Sequence, residues 1–242
     1  MSLTPSPLEL RARALTDLRI GLPVIIRAPQ PLVVCAAETL TDERLASLRS
    51  LGEVQAVISK WRANTLKINL YDGDIARLSV PVRANAEWCQ AVADPIRDLS
   101  YPMKGPFQSI RGGEVGAERA AIELLKSAQL LPMAITVKMN QEIGNLTELP
   151  TEIAINTELT HIVAAPLPLQ VAQAGKVHLY RPQGGGDEHY AIEIGAPDRT
   201  VPILTRLHSS CFTGEVLGSL KCDCGPQLLS LIHISEPTRQ AS

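Results

Sequence analysis

The chain of 242 residues suffices for one large domain or two modest ones, and its 45% apolar and 20% charged content is that of an ordinary folded protein. Aromatic residues supply only 3%, so the core must be built from Leu, Ile, Val and Ala. A formal charge of -2 with no Lys/Arg-rich block argues against a general nucleic-acid or membrane-surface binder, and no apolar run reaches membrane-spanning length. The N-terminus lacks the charged-then-apolar layout of a secretory signal, which points to the cytoplasm. In that reducing compartment an odd set of five cysteines favours metal binding over disulfides.

Residues 8–19 read as a helix with Ser6 or Thr4 as N-cap and Pro7 in its first turn. LPVIIRA and PLVVCAAE are short β-branched runs, expected as two strands joined by a tight turn at Ala28, Pro29, Gln30 and Pro31. TDERLASLRSL starts a helix at Thr41, and VQAVIS follows as a strand. GAERAAIELLKSAQL has helical apolar spacing at Ala121, Leu124, Leu125 and Ala128; Pro132 stops it before the strand MAITVKM. This alternation predicts an α/β (α+β) domain over 1–150. From about Gln141 to Pro168 the chain reads as irregular, a boundary before a β-richer domain. There KVHLYRP, a Gly184-Gly185-Gly186 turn, HYAIEIG and VPILTRLHS are expected as successive strands and turns. His161, His178 and His189 read as surface or strand histidines, and Cys35 and Cys89 as buried bystanders.

Chemistry concentrates in RLHSSCFTGEVLGSLKCDCGPQL, where Cys211, Cys222 and Cys224 stand in C-x10-C-x-C spacing. Structural zinc sites usually close with four protein ligands, whereas catalytic ones keep three and leave a position open. Three thiolates therefore suggest an open metal centre, with a structural zinc knuckle as the competing reading. His208 is either a fourth ligand or part of a substrate site, and spacing alone leaves both open.

The segment closely resembles the zinc-binding region of GTP cyclohydrolase II, the enzyme that opens the imidazole ring of GTP at the start of riboflavin synthesis. The residues that carry the likeness run from Arg206 to Glu215 and from Ser219 to Leu228. The resemblance implies one Zn2+ per chain on Cys211, Cys222 and Cys224, and GTP contacts from Arg206, Leu207, His208, Ser209, Ser210 and Gln227. It implies hydrolysis with release of formate and pyrophosphate, Mg2+ accompanying the GTP phosphates, and a homodimer when full length, with no nucleic-acid or membrane partner. Ser210 stands where the family has Glu, Glu215 where it has Asp, and Lys221 where it has Arg. The family's Asp-x-Arg catalytic pair lies downstream of this motif, and nothing after Leu228 matches it, so no catalytic residue is assigned in this chain.

LSLIHISEPTRQ, from Leu229 to Gln240, resembles a translated sequencing adapter. On that reading 160–228 is the first part of a truncated, β-rich α+β cyclohydrolase domain, 229–242 is foreign, and this chain by itself is inactive. The first domain resembles a degenerate dihydroxybutanone phosphate synthase through IGLPVIIR, LVVCAAETLT and IRGGEVGAERAAIELLKSAQLLPMAI. That likeness implies a scaffold without chemistry: the acidic loop is replaced by Ala28-Pro29-Gln30-Pro31 and no histidine precedes His161. Glu38 and Glu118 remain as isolated carboxylates. The alternative function is a non-catalytic zinc protein that senses nucleotides.

Overall fold

The computed structural model describes residues 4–139, 143–152, 158–169, 174–182 and 187–235. The chain divides into two compact units, Met1–Thr157 and Glu158–Ser242. No described helix is long and apolar enough to cross a membrane.

The first unit opens with α1 (Pro7–Arg19), capped by Ser6 in a reciprocal box. The Glu9 amide donates to Ser6 Oγ at 3.3 Å and the Ser6 amide to Glu9 Oε2 at 2.7 Å. Then come β1 (Val24–Arg27) and β2 (Leu32–Ala36), paired antiparallel across the 28–31 connection, with Val24 opposite Val34 and Ile26 opposite Leu32. α2 (Asp42–Leu51) starts at Thr41, whose hydroxyl accepts the Arg44 amide. β3 (Val54–Ser59), α3 (Lys60–Thr65), β4 (Ile75–Ser79) and α4 (Ala86–Ala93) follow, then a 3-10 turn at Pro95–Asp98. α5 (Gly116–Ser127), β5 (Met133–Lys138) and β6 (Thr147–Pro150) complete the unit.

The six strands form one sheet in the order β4-β3-β5-β2-β1-β6, antiparallel except for the β1–β6 pair. Alternate residues of β2 serve opposite cores: Val33 and Cys35 on one side, Leu32, Val34 and Ala36 on the other. A strand covered on both faces needs a continuous apolar run, which is why PLVVCAA shows no polar alternation. Helices α1 and α5 cover one face through Leu15, Leu18, Leu124 and Leu125. The other face is covered by α2 and α4 through Leu45, Leu48, Cys89 and Val92. The unit is an α/β fold of three layers.

The second unit holds a three-stranded antiparallel sheet: β7 (Leu159–Pro166), β8 (Gly175–Pro182) and β9 (His189–Ile194). Two helices follow, α6 (Phe212–Glu215) and α7 (Cys224–Ser235). Two sequence expectations are corrected. The stretch read as irregular contains β6 and β7; NLTELP buries Leu149 fully and Leu146 only in part, yet Thr147–Pro150 pairs along β1 at the sheet edge, where Pro150 blocks no inner ladder. VPILTRLHS forms no strand: residues 201–210 lack regular structure, and Val201, Ile203 and Leu204 are exposed. The Gly184–Gly186 turn lies outside the described residues, as do 236–242 at the end of the adapter-like stretch, whose first residues continue α7.

One polar cluster ties the first unit's longest irregular segment to its core. The buried Arg62 of α3 donates to the carbonyls of Val92 (2.6 Å), Ala91 (3.2 Å) and Asp94 (3.3 Å) at the end of α4, and bidentately to Asp98 at 2.7 Å. Lys104 pairs with the same carboxylate, and the Trp88 indole donates to the Lys104 carbonyl at 3.0 Å. The Arg62 guanidinium, with Lys104 beside it, holds the Asp98 carboxyl well below the usual carboxylate range. A depressed carboxyl stabilises the fold above the unfolded-chain value near pH 4, and that contribution fades as pH falls further. Asp98→Asn strands two buried cations; urea unfolding at pH 7 is expected to show a loss of about 3 kcal/mol. The gap between variant and wild type should narrow below about pH 4.

Candidate metal centre

The segment leading to the centre, Arg206 to Ser210, lacks regular structure and is mostly exposed, with Leu207 fully so. Ser210 takes a left-handed backbone (φ 49°) and turns the chain into Cys211, which starts α6. After α6 the chain reverses, and Cys222 and Cys224 return at the start of α7. The sulfurs of Cys211, Cys222 and Cys224 lie within 4.8 Å of one another, and those of Cys211 and Cys222 are 3.9 Å apart. Thiolates on a tetrahedral zinc with bonds of ~2.3 Å are roughly 3.8 Å apart, and the Cys211–Cys222 separation of 3.9 Å matches that spacing.

Close packing makes the approach possible. A Cβ on Gly214 would lie 2.5 Å from the Cys222 sulfur and 3.1 Å from Cys224 Cβ; one on Gly225 would lie 2.9 Å from the Gly214 carbonyl oxygen. Only glycine fits at 214 with the sulfurs where they are.

The thiols differ in acidity. Cys211 is pushed down to about 7, first by the Thr213 hydroxyl 3.2 Å from its sulfur, then by the Gly214 amide. The Cys224 thiol, which shares a hydrogen bond with Cys211, is raised. By contrast Cys35 and Cys89 are buried thiols pushed up to about 12 by desolvation, unfit as ligands or nucleophiles.

His208 is not among the three clustered ligands. Its Nδ1 lies 3.2 Å from Glu215 Oε1 and 3.3 Å from the Ser210 amide, and its Nε2 lies 3.4 Å from the Cys224 carbonyl oxygen. The ring therefore bridges the two arms of the cage rather than facing the sulfurs. Arg206, Ser209 and Gln227 are exposed, the last on the first turn of α7. Sequence reasoning missed two contributors. Glu215 accepts the Cys211 amide at 2.9 Å while approaching His208, and Thr213 lies 3.9 Å from the Cys222 sulfur as well. The available signal was their position two and four residues after Cys211, within reach of one helical turn.

In the first unit Glu38 accepts the Leu131 amide at 2.8 Å, a structural role. Glu118 is buried on α5, and no described cluster of metal-ligating groups includes either residue.

Residues 160–237 match the family model of GTP cyclohydrolase II, a stretch that starts in β7 and runs past Leu228. The chain is 32% identical over 205 residues to GTP cyclohydrolase-2 of Azospirillum brasilense, covering 78% of this chain and 53% of that protein. It is 27% identical over 244 residues to the riboflavin biosynthesis protein RibBA of Cytophaga hutchinsonii, covering 81% and 60%. The chain thus spans little more than half the length of the curated relatives it matches. Among solved structures, a two-domain 3,4-dihydroxy-2-butanone 4-phosphate synthase from A. baumannii aligns with a TM-score of 0.43 at 16% identity, over 90% of this chain and 79% of that one.

Gly214→Ala is expected to force the Cys222 sulfur aside. Metal analysis of the purified variant should show the bound transition metal falling well below the unmodified protein's level, while the first unit's melting is unchanged.

Proposed function

From the membership of residues 160–237 in the GTP cyclohydrolase II family, we propose that this chain supplies the zinc cage and part of the GTP site of an enzyme that opens the guanine imidazole ring hydrolytically. The observation that carries the reading is the convergence of three sulfurs within 4.8 Å of one another, on residues whose types and order match the family motif. The proposed ligands are Cys211, Cys222 and Cys224, one Zn2+ per chain. When bound, zinc supplies a Lewis acid that brings a coordinated water to near-neutral acidity.

The chain's own residues prepare that site. The Thr213 hydroxyl and the Gly214 amide favour the ionised form of Cys211, the form a metal needs. Glu215 fixes the start of the turn through the Cys211 amide, and His208 lies between the two arms, 3.2 Å from Glu215 and 3.4 Å from the Cys224 carbonyl. Arg206 offers a planar fork suited to phosphate or guanine oxygens, and Gln227 offers an amide with both donor and acceptor. Leu207, Ser209 and Ser210 line the same approach in sequence. The triphosphate brings Mg2+ with it, and ring opening releases formate and pyrophosphate. Since the match covers 53% of the Azospirillum relative, the groups that move protons during hydrolysis are proposed to lie outside this chain, which alone binds without turning over.

Two measurements test this. Zinc analysis should give one equivalent per chain, falling to a small fraction in Cys222→Ser. Grafting the part of the Azospirillum relative beyond the matched stretch onto Leu228 should produce formate from GTP, absent from the chain alone and from the grafted Cys222→Ser variant. GTP binding by calorimetry without any formate from the graft would instead support the nucleotide-sensing alternative. Within the binding reading, Arg206→Ala should weaken GTP about tenfold or more, the loss expected for a hydrogen bond to a charged group.

A further inference from the structure

The three-stranded sheet of the second unit carries a second group of metal-ligating side chains, remote in sequence from the cysteines and using none of them. On one face, set by strand register, stand His161 of β7, His178 and Tyr180 of β8, and Glu193 of β9: Tyr180 pairs with His161, while Lys176, two positions before His178, pairs with Glu193. His161 Nε2 lies 3.4 Å from His178 Nδ1. Hydrogen bonds from a ring N–H are usually shorter, about 2.7–3.2 Å, so at this distance the contact is a weak one. Two imidazole nitrogens on one tetrahedral ion, each ~2.0–2.1 Å from it, are about 3.3 Å apart, which is the spacing found.

The other nitrogen of His178 supports the same conclusion. Its Nε2 is sealed from solvent and has no hydrogen-bond partner among the described residues. Glu193 Oε2 lies 3.5 Å from it, behind the ring as seen from His161 Nε2. A carboxylate behind a histidine, with the far nitrogen free, is the usual supporting arrangement of a metal-binding imidazole. Glu193 is itself held by Arg199 at 2.7 Å, and His161 is packed against the Tyr180 ring at 5.1 Å, so both flanks of the pair are positioned.

We propose that His161 and His178 form a second, two-histidine site for a divalent transition metal, with Glu193 orienting His178 and water completing the coordination. Imidazole donors select zinc-like ions over magnesium. The proposal is independent of the cyclohydrolase reading, because it uses none of the cysteine ligands.

The test uses the whole chain loaded with one equivalent of Zn2+ on its cysteines and freed of excess metal. Calorimetric titration with further Zn2+ should show a second equivalent, and titration with Mg2+ none. His161→Gln and His178→Gln should each weaken the second equivalent at least about tenfold, and Glu193→Gln by roughly tenfold. The first equivalent, retained in all three, reports that the unit is still folded. Cys222→Ser should keep the histidine-dependent equivalent. The proposal is overturned if the unmodified chain takes up no second Zn2+, or if both histidine variants bind it undiminished.

Discussion

Between Val201 and Leu229 the chain has almost nothing apolar to fold around. Gly214 is its only fully buried described residue, while Leu207, Phe212, Val216, Leu217 and Leu220 all point to solvent. What gathers this segment is the convergence of three sulfurs, aided by the short polar bridges through Glu215 and His208. The zinc cage and GTP site proposed for the second unit depend on that convergence. With no hydrophobic core in this stretch, the proposed metal would supply the bonds that order the turn, as in small metal-organised domains. The same constraint explains why Gly214 and Gly225 stand where the two arms touch: a core of sulfur and backbone has no room for side chains.

The two units solve the problem of order in opposite ways. The first buries a sheet between two helical layers, drawing its stability from area removed from water. Its cysteines are silenced by that burial. The second keeps its cysteines near the surface, where a hydroxyl and an amide can favour the thiolate. Burial and exposure thus separate inert thiols from ligands within one chain.

What the sequence disclosed follows the range of the forces involved. Residue type and spacing are local, so the grouping of Cys211, Cys222 and Cys224 could be anticipated, and so could α5 with its strong 3.6-residue period. Ser6 and Thr41 announced their helices for the same reason, since a cap is settled within three residues. β6 was hidden because its order comes from the distant β1 rather than from its own alternation. The opposite error occurred at VPILTRLHS, which has strand-like composition but pairs with no described strand. Glu215 was read only as a replacement for Asp, and its hydrogen bond to the Cys211 amide was signalled by nothing beyond its place four residues on. The pairing of His161 with His178 is likewise set by register across two strands, including a bulge between His161 and Val163.

The Arg62 cluster has a dynamic consequence. Residues 94–107 contain one short helical turn and would ordinarily open as a surface loop, exchanging their amide hydrogens freely. Here opening would tear Asp98 from a buried guanidinium and uncap the end of α4 at the same moment. The segment is therefore bound into the cooperative unit of α3 and α4, and its slow amides should exchange only when those helices do.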